Sequence, residues 1–277
     1  MKHIIYILTA VLLSSCSSTF YYSSLNTANE YVEKVDNGDF LIETDSLWIA
    51  YCFKGPGAPM QITVFNKLDE PLYVDWERSA LIIDDKAFSY AEAAGSFTWN
   101  NYNPDGTVYS PDSTYTFDDE IRMMSDHISF IPPKAMISEI PLSLDPTFKH
   151  LDKKLYRNAT MADKYQEVVK TQRADFSMSD SPLRFSSYIT VYAQPDEPMV
   201  FEQDFYLASL FKTGIRPGNM AGDMINRGDL FYVEQPANNN ALYTTLGIVA
   251  ASGLIVLGAL YGDGTYEYVD DGYDYDY

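Results

Sequence analysis

The sequence predicts a mainly β body, an antiparallel sandwich with one short helical insertion, followed by an apolar helix long enough to cross a membrane. Three observations predict it. Short apolar or alternating runs recur over residues 40–83 and 128–207, with turn residues between them. Residues 148–173 change character, holding seven of the 19 basic side chains. Ala241 to Tyr261 reads ALYTTLGIVAASGLIVLGALY, 21 residues without a charge.

The chain opens on Met1-Lys2-His3, then the apolar run from Ile4 to Leu13, then Ser14-Ser15-Cys16. A basic start, a short apolar stretch and small residues make a secretory signal over 1–15. The run is too short to span a bilayer, which takes roughly 20 residues. Leu13-Ser14-Ser15-Cys16 resembles the lipobox of bacterial lipoproteins, an aliphatic residue and two small ones before Cys. The resemblance implies cleavage before Cys16, lipid on its thiol and an acylated new N-terminus. More than one acyl chain gives stable membrane attachment, each buried CH₂ contributing about 0.8 kcal/mol. The competing reading is an ordinary cleaved signal with an incidental Cys.

Residues 16–37, polar and rich in Tyr and Ser, read as a tether. The body is expected over 38–234. Phe40-Leu41-Ile42, Leu47–Phe53, Gln61–Phe65, Leu72–Trp76 and Leu81–Ile83 read as strands, divided by Gly55-Pro56-Gly57, the Asn66–Pro71 segment and Asp84-Asp85. A polar stretch over 91–120 with Trp99, Tyr102 and Tyr109 reads as a long loop, a length that usually marks function or mobility. Ile128–Ile131 and Met136–Leu144 read as strands around Pro132-Pro133. In the basic insertion 148–173, Ala162–Gln172 reads as a helix with Tyr165, Val168 and Val169 on one side. Its basic patch suits anionic lipid headgroups, against the plainer reading of a solvated face. Strands resume at Leu183–Tyr192 and Met199–Leu207. About 200 residues bury a sizeable core without disulfides.

After the Gln235–Asn240 linker, the 241–261 helix would be about 31 Å long, near the thickness of the hydrocarbon layer. Tyr243 and Tyr261 sit near its ends, as interfacial aromatics do. Gly247 and Ala251 form a small-xxx-small pair for helix packing, or simply the usual small-residue content of such helices. A buried core helix is the competing reading of the span. The tail 262–277 carries six acids and five Tyr and reads as a disordered extension.

A net charge of −20 argues against an electrostatic nucleic-acid binder. With Cys16 lipidated, Cys52 is the one thiol left and sits in an apolar run, where an inert buried thiol is expected. The sequence holds no P-loop, GxGxxG, GxSxG or HExxH, and His127 and His150 stand alone in their segments. No catalytic residue, metal ligand or cofactor site is assigned. Asp75, beside Trp76, Glu77 and Arg78, reads as a strand-end ion pair.

The segments NKLDEPLYVDWERSALII (66–83) and SPLRFSSYITVYA (181–193) are similar to uncharacterised bacterial cell-envelope lipoproteins with immunoglobulin-like sandwich bodies. The resemblance implies a fold and a location, and brings no catalytic residues. The expectation is a non-enzymatic, membrane-anchored lipoprotein that scaffolds or binds an envelope partner. Its body faces the periplasm, and the helix favours the inner over the outer membrane. The alternative is a glycan- or ligand-binding module using Trp99, Tyr102 and Tyr109.

Overall fold

The computed structural model describes residues 18–91, 127–148 and 150–236. Within them the strands are β1 (Thr19–Asn26), β2 (Val32–Lys34), β3 (Phe40–Glu43), β4 (Leu47–Cys52), β5 (Gly55–Pro56), β6 (Gln61–Asn66), β7 (Leu72–Ile83), β8 (Lys86–Ser89), β9 (Ile128–Ile131), β10 (Met136–Glu139), β11 (Arg157–Ala162), β12 (Val168–Asp175), β13 (Arg184–Tyr192), β14 (Pro198–Thr213) and β15 (Leu230–Gln235). The one α-helix among the described residues is a single turn, α1 (Gly222–Ile225).

These strands form two sheets. Ten strands follow the path β5-β15-β1-β14-β13-β7-β8, with β12 and β11 joined beside β14 and β9 beside β7. Five follow β10-β6-β4-β3-β2. Pairing is antiparallel throughout, except for the two-residue contact of β5 with β15. Two long strands organise the larger sheet by taking partners in tandem. One edge of β14 pairs with β1, and its other edge pairs first with β13 and then with β12. Similarly, β7 pairs with β13 on one side and with β9 and β8 on the other.

Alternation explains the shared core. In β4 and β6, Leu47, Ile49, Tyr51, Ile62 and Val64 point inward and their neighbours outward. They meet Val74, Trp76, Phe185, Ile189 and Phe205 of the larger sheet. Phe205 stands edge-on to Phe40, Tyr51 and Phe53 at 5.0–5.2 Å and stacks on Phe185 at 5.2 Å. Each such ring pair adds about 0.5–1.5 kcal/mol beyond its area burial.

The structure corrects several expectations. The tether 16–37 is not all tether: Thr19–Asn26 is β1, between β14 and β15 inside the larger sheet. Its Ser and Tyr content hides the fact that both faces are buried. Tyr21 and Leu25 join the main core, while Phe20 and Tyr22 join a second cluster with Met161, Ile215, Met220 and Leu230. Tyr22 donates its buried hydroxyl proton to Ile215 O at 2.8 Å. The helical insertion at 148–173 is instead the β11–β12 hairpin, apart from one 3₁₀ turn at Lys153–Leu155. Tyr165 and Val168, placed on a helix face by their spacing, are exposed around the hairpin turn. The two runs Leu72–Trp76 and Leu81–Ile83 are one strand with a wide bulge, since Asp75 pairs with Thr190 and Ala80 with Tyr188. The Met136–Leu144 strand ends at Glu139.

The 91–120 loop lies outside the described residues except for Ala91, and the 241–261 segment lies wholly outside them. Among the described residues no helix is long and apolar enough to cross a membrane.

Candidate functional site

The end of the larger sheet where the chain enters β1 carries an open groove that is a candidate site. Register places it residue by residue. Asn158, Gln172, Lys212, Tyr21 and Val233 are successive cross-strand partners over β11, β12, β14, β1 and β15, so they form one row on one face. Two residues further toward the sheet end, Thr160 pairs with Lys170 and Thr19 with Gln235. Between Lys170 and Thr19 the place falls to Gly214, just past the end of β14. A Cβ there would meet nothing within 4 Å. The missing side chain leaves an open groove of about 330 Å³, lined by Thr19, Asn158, Lys170, Gln172, Lys212 and Gly214, with Thr171 and Thr213 in its wall.

The groove is cationic in an acidic protein. None of its lining residues is acidic. Elsewhere Lys34, Lys67, Arg78, Lys134, Arg157, Arg173 and Arg227 each hold a carboxylate. Among the described residues Lys170 and Lys212 hold none, as is also true of Lys54, Lys153, Lys154, Lys164, Arg184 and Arg216. The Lys212 ammonium lies 5.9 Å from the Tyr21 ring and 6.0 Å from the Tyr156 ring, a cation–π seat that fixes its stem. Burial pushes the Tyr156 hydroxyl up to about 12, with a smaller push from Tyr21, so it stays neutral beside the lysine. That hydroxyl is buried with no hydrogen-bond partner among the described residues, as is the Thr171 hydroxyl. With amide groups at Asn158 and Gln172 alongside two ammonium groups, the site suits an anion rich in acceptor oxygens.

Two outward aromatic rows are the other surfaces of note. On the larger sheet Phe130, Tyr73, Tyr192 and Pro198 are cross-strand neighbours, with Tyr73 stacked on Tyr192 at 5.5 Å and Phe130 54% exposed. On the smaller sheet Met136, Phe65 and Trp48 make a row, with the two rings stacked at 5.5 Å and 14°.

The residues singled out from sequence fare unevenly. Cys16, Trp99, Tyr102, Tyr109, Gly247 and Ala251 all lie outside the described residues. Asp75 pairs with Arg78 at 3.7 Å and accepts the Arg78 backbone N–H at 3.1 Å, as a brace inside the β7 bulge. Cys52 is half-buried on the outer face of β4, and burial pushes its thiol up. The groove itself escapes sequence reading, because its parts come from four separated segments. Trp48 and Phe65 are visible in sequence as outward positions of two alternating strands.

No protein-family model matches the chain, and neither a curated protein nor a solved structure matches it.

Proposed function

We propose that the chain is a cell-envelope lipoprotein, anchored by lipid at Cys16 and by the 241–261 helix, with an immunoglobulin-like body that binds a partner in the periplasm. The observation that carries this reading is the pairing of Thr19 with Gln235. Both anchor-bearing segments leave the body from paired positions at one end of one sheet. Cys16 is three residues before Thr19, and Ala241 is six residues after Gln235. A body held at one end presents its remaining surface, both aromatic rows included, to the periplasm. Two antiparallel sheets around one core support the immunoglobulin-like assignment. The helical span favours the inner membrane, since outer-membrane spans are normally closed barrels.

The test is fractionation of the wild type, Cys16→Ala, a 241–277 deletion and the double variant, with a protease-accessible tag on the tail. The expected result is release of the body only when both anchors are removed, and a tail tag protected in intact spheroplasts. Full release by Cys16→Ala alone would remove the membrane helix from the proposal.

A second reading, glycan binding, is favoured by the Trp48–Phe65 stack, two half-buried rings on the outer face of the smaller sheet on which a sugar face could pack. Retention on immobilised polysaccharide that is lost in Trp48→Ala or Trp99→Ala would support it.

A further inference from the structure

We infer that the Lys170–Lys212 groove binds the phosphate of an anionic phospholipid headgroup and so seats the body on its own membrane. The inference rests on the lipoprotein reading, because that reading supplies the membrane. It is argued from the groove's chemistry and its place in the fold.

Position comes first. Thr19 is a wall of the groove and follows Cys16 by three residues. Three extended residues reach at most about 11 Å, so lipid on Cys16 keeps the groove close to the headgroup layer. Gln235, where the chain leaves toward 241–261, sits in the same row. Its Oε1 accepts the Tyr21 hydroxyl proton at 3.0 Å, which holds this end of the sheet in register.

The chemistry follows. Two ammonium groups share a groove in which none of the described lining residues is acidic, in a chain of 39 acids and 19 bases. A phosphate diester placed between Lys170 and Lys212 gains both charges, and its remaining oxygens face the amide groups of Asn158 and Gln172. The cavity volume matches a headgroup rather than a whole lipid, and the open side leaves room for the glycerol and chains to run back to the bilayer.

The neighbouring hairpin points the same way. Val168 lies two residues beyond Lys170, so the β11–β12 tip projects about 7 Å past the Thr19 row. At that tip Tyr165 is 69% and Val168 73% exposed, and Lys164 lies over the Tyr165 ring at 5.0 Å. An aromatic, an aliphatic and a cation on a protruding turn suit the membrane interface, where aromatic rings sit at headgroup level. The tip is braced for this, with Lys164 N–H bonded to Asn219 O at 2.9 Å and the Lys164 ammonium to Gly218 O at 3.0 Å.

The experiment is native mass spectrometry of the full chain released from neutral detergent micelles. The micelles carry phosphatidylglycerol, phosphatidylcholine or inorganic phosphate. The variants are Lys170→Gln/Lys212→Gln and Gly214→Leu. The second fills the groove, and its added side chain enters open space, so its melting transition should match the wild type. The expected result is one phosphatidylglycerol retained in preference to phosphatidylcholine. The double lysine variant should lower that retention about 25-fold, about fivefold for each lysine, and Gly214→Leu should abolish it. Retention unchanged in both variants would overturn the groove as the site. Inorganic phosphate retained as well as phosphatidylglycerol would overturn the lipid as the source. The same spectra weigh Cys16. A chain with no lipid mass there that still shows groove-dependent retention overturns the anchoring and keeps the groove. A lipidated chain without such retention overturns the groove alone.

Discussion

The buried carboxylate of Asp229 holds the Lys34 ammonium at 2.5 Å, and so joins the start of β15 in one sheet to β2 in the other. Arg227 completes the clamp with two hydrogen bonds of 2.8 and 2.6 Å to the same carboxylate. That contact pushes the Arg227 guanidinium further up from its ordinary value. Space around the clamp is spoken for. Gly38 has φ +88°, and a Cβ there would stand 2.5 Å from Asp229 Oδ1.

Removing the shared acid leaves two cations facing one another beside a buried vacancy. Asp229→Ala is expected to lower stability by about 1.5–3 kcal/mol, the worth of hydrogen bonds to a charged group, since Lys34 and Arg227 both keep partial access to water. Lys34→Met should cost less, because Arg227 still holds the carboxylate. Urea unfolding of both variants checks the order. Equal losses would mean that Arg227 does not compensate.

Asp145 gives the body a pH-dependent term. Burial pushes its carboxyl up to about 6 from an ordinary 3.8. A carboxyl that holds its proton more tightly in the folded state favours folding at low pH. That contribution is complete below the unfolded value and is lost as pH rises through about 6. Asp145→Asn should therefore be more stable than the wild type at pH 7, by about 1 kcal/mol after allowing for solvent screening. The two should converge near pH 4. Asn also tolerates the positive φ of 41° at this position. Melting temperatures from pH 4 to 8 test both statements, and a wild type that gains stability across that window would reverse the sign.

The bulge in β7 depends on one hydroxyl. Ser79 is fully buried; its Oγ–H donates to Asp75 O, and its Oγ accepts the Thr190 N–H at 3.0 Å. Ser79→Ala strands a buried donor and a buried acceptor, and is expected to cost about 1–3 kcal/mol. Chemical denaturation measures the loss. Under the proposed anchoring, membrane fractionation should not change, because the bulge is remote in the chain from Cys16 and from residues 241–261.

Cys52 should behave as a slow thiol. Its raised ionisation and half-buried place on β4 leave little thiolate at pH 8. A disulfide reagent should modify it much more slowly in the native chain than in urea. If Cys16 carries lipid, the denatured chain should titrate as one thiol. Two thiols would sink the lipid attachment directly.

How much of this was legible beforehand depends on what each strand faces. β4 and β6 have one wet face, so their alternation is plain in LWIAYC and QITVFN. β1 has none. TFYYSSLN carries Ser on positions that pack against other strands, and polar composition passed for a tether. The β11–β12 hairpin failed differently. Tyr165, Val168 and Val169 fall at helical spacing by accident of the turn between the strands. Within the groove, Lys170 and Gln172 share a strand, but Lys212 and Thr19 reach them only through register. No local motif encodes an absent side chain at Gly214 as the feature that opens the space.

The place of β1 between β14 and β15 sets the order in which the body can be completed. β1 is the first described strand to be synthesised, and both its neighbours lie beyond residue 197. During synthesis β1 therefore stays unpaired until almost the whole body has been made, and under the proposed export until almost all of it has crossed the membrane. Sheet closure is a long-range event, of the kind that slows folding and exposes open edges meanwhile. Any acylation at Cys16 accordingly reaches a chain whose nearest strand has no partner yet. A lesion in the six residues of β15 would act on the opposite end of the sequence, by leaving that first strand half-paired.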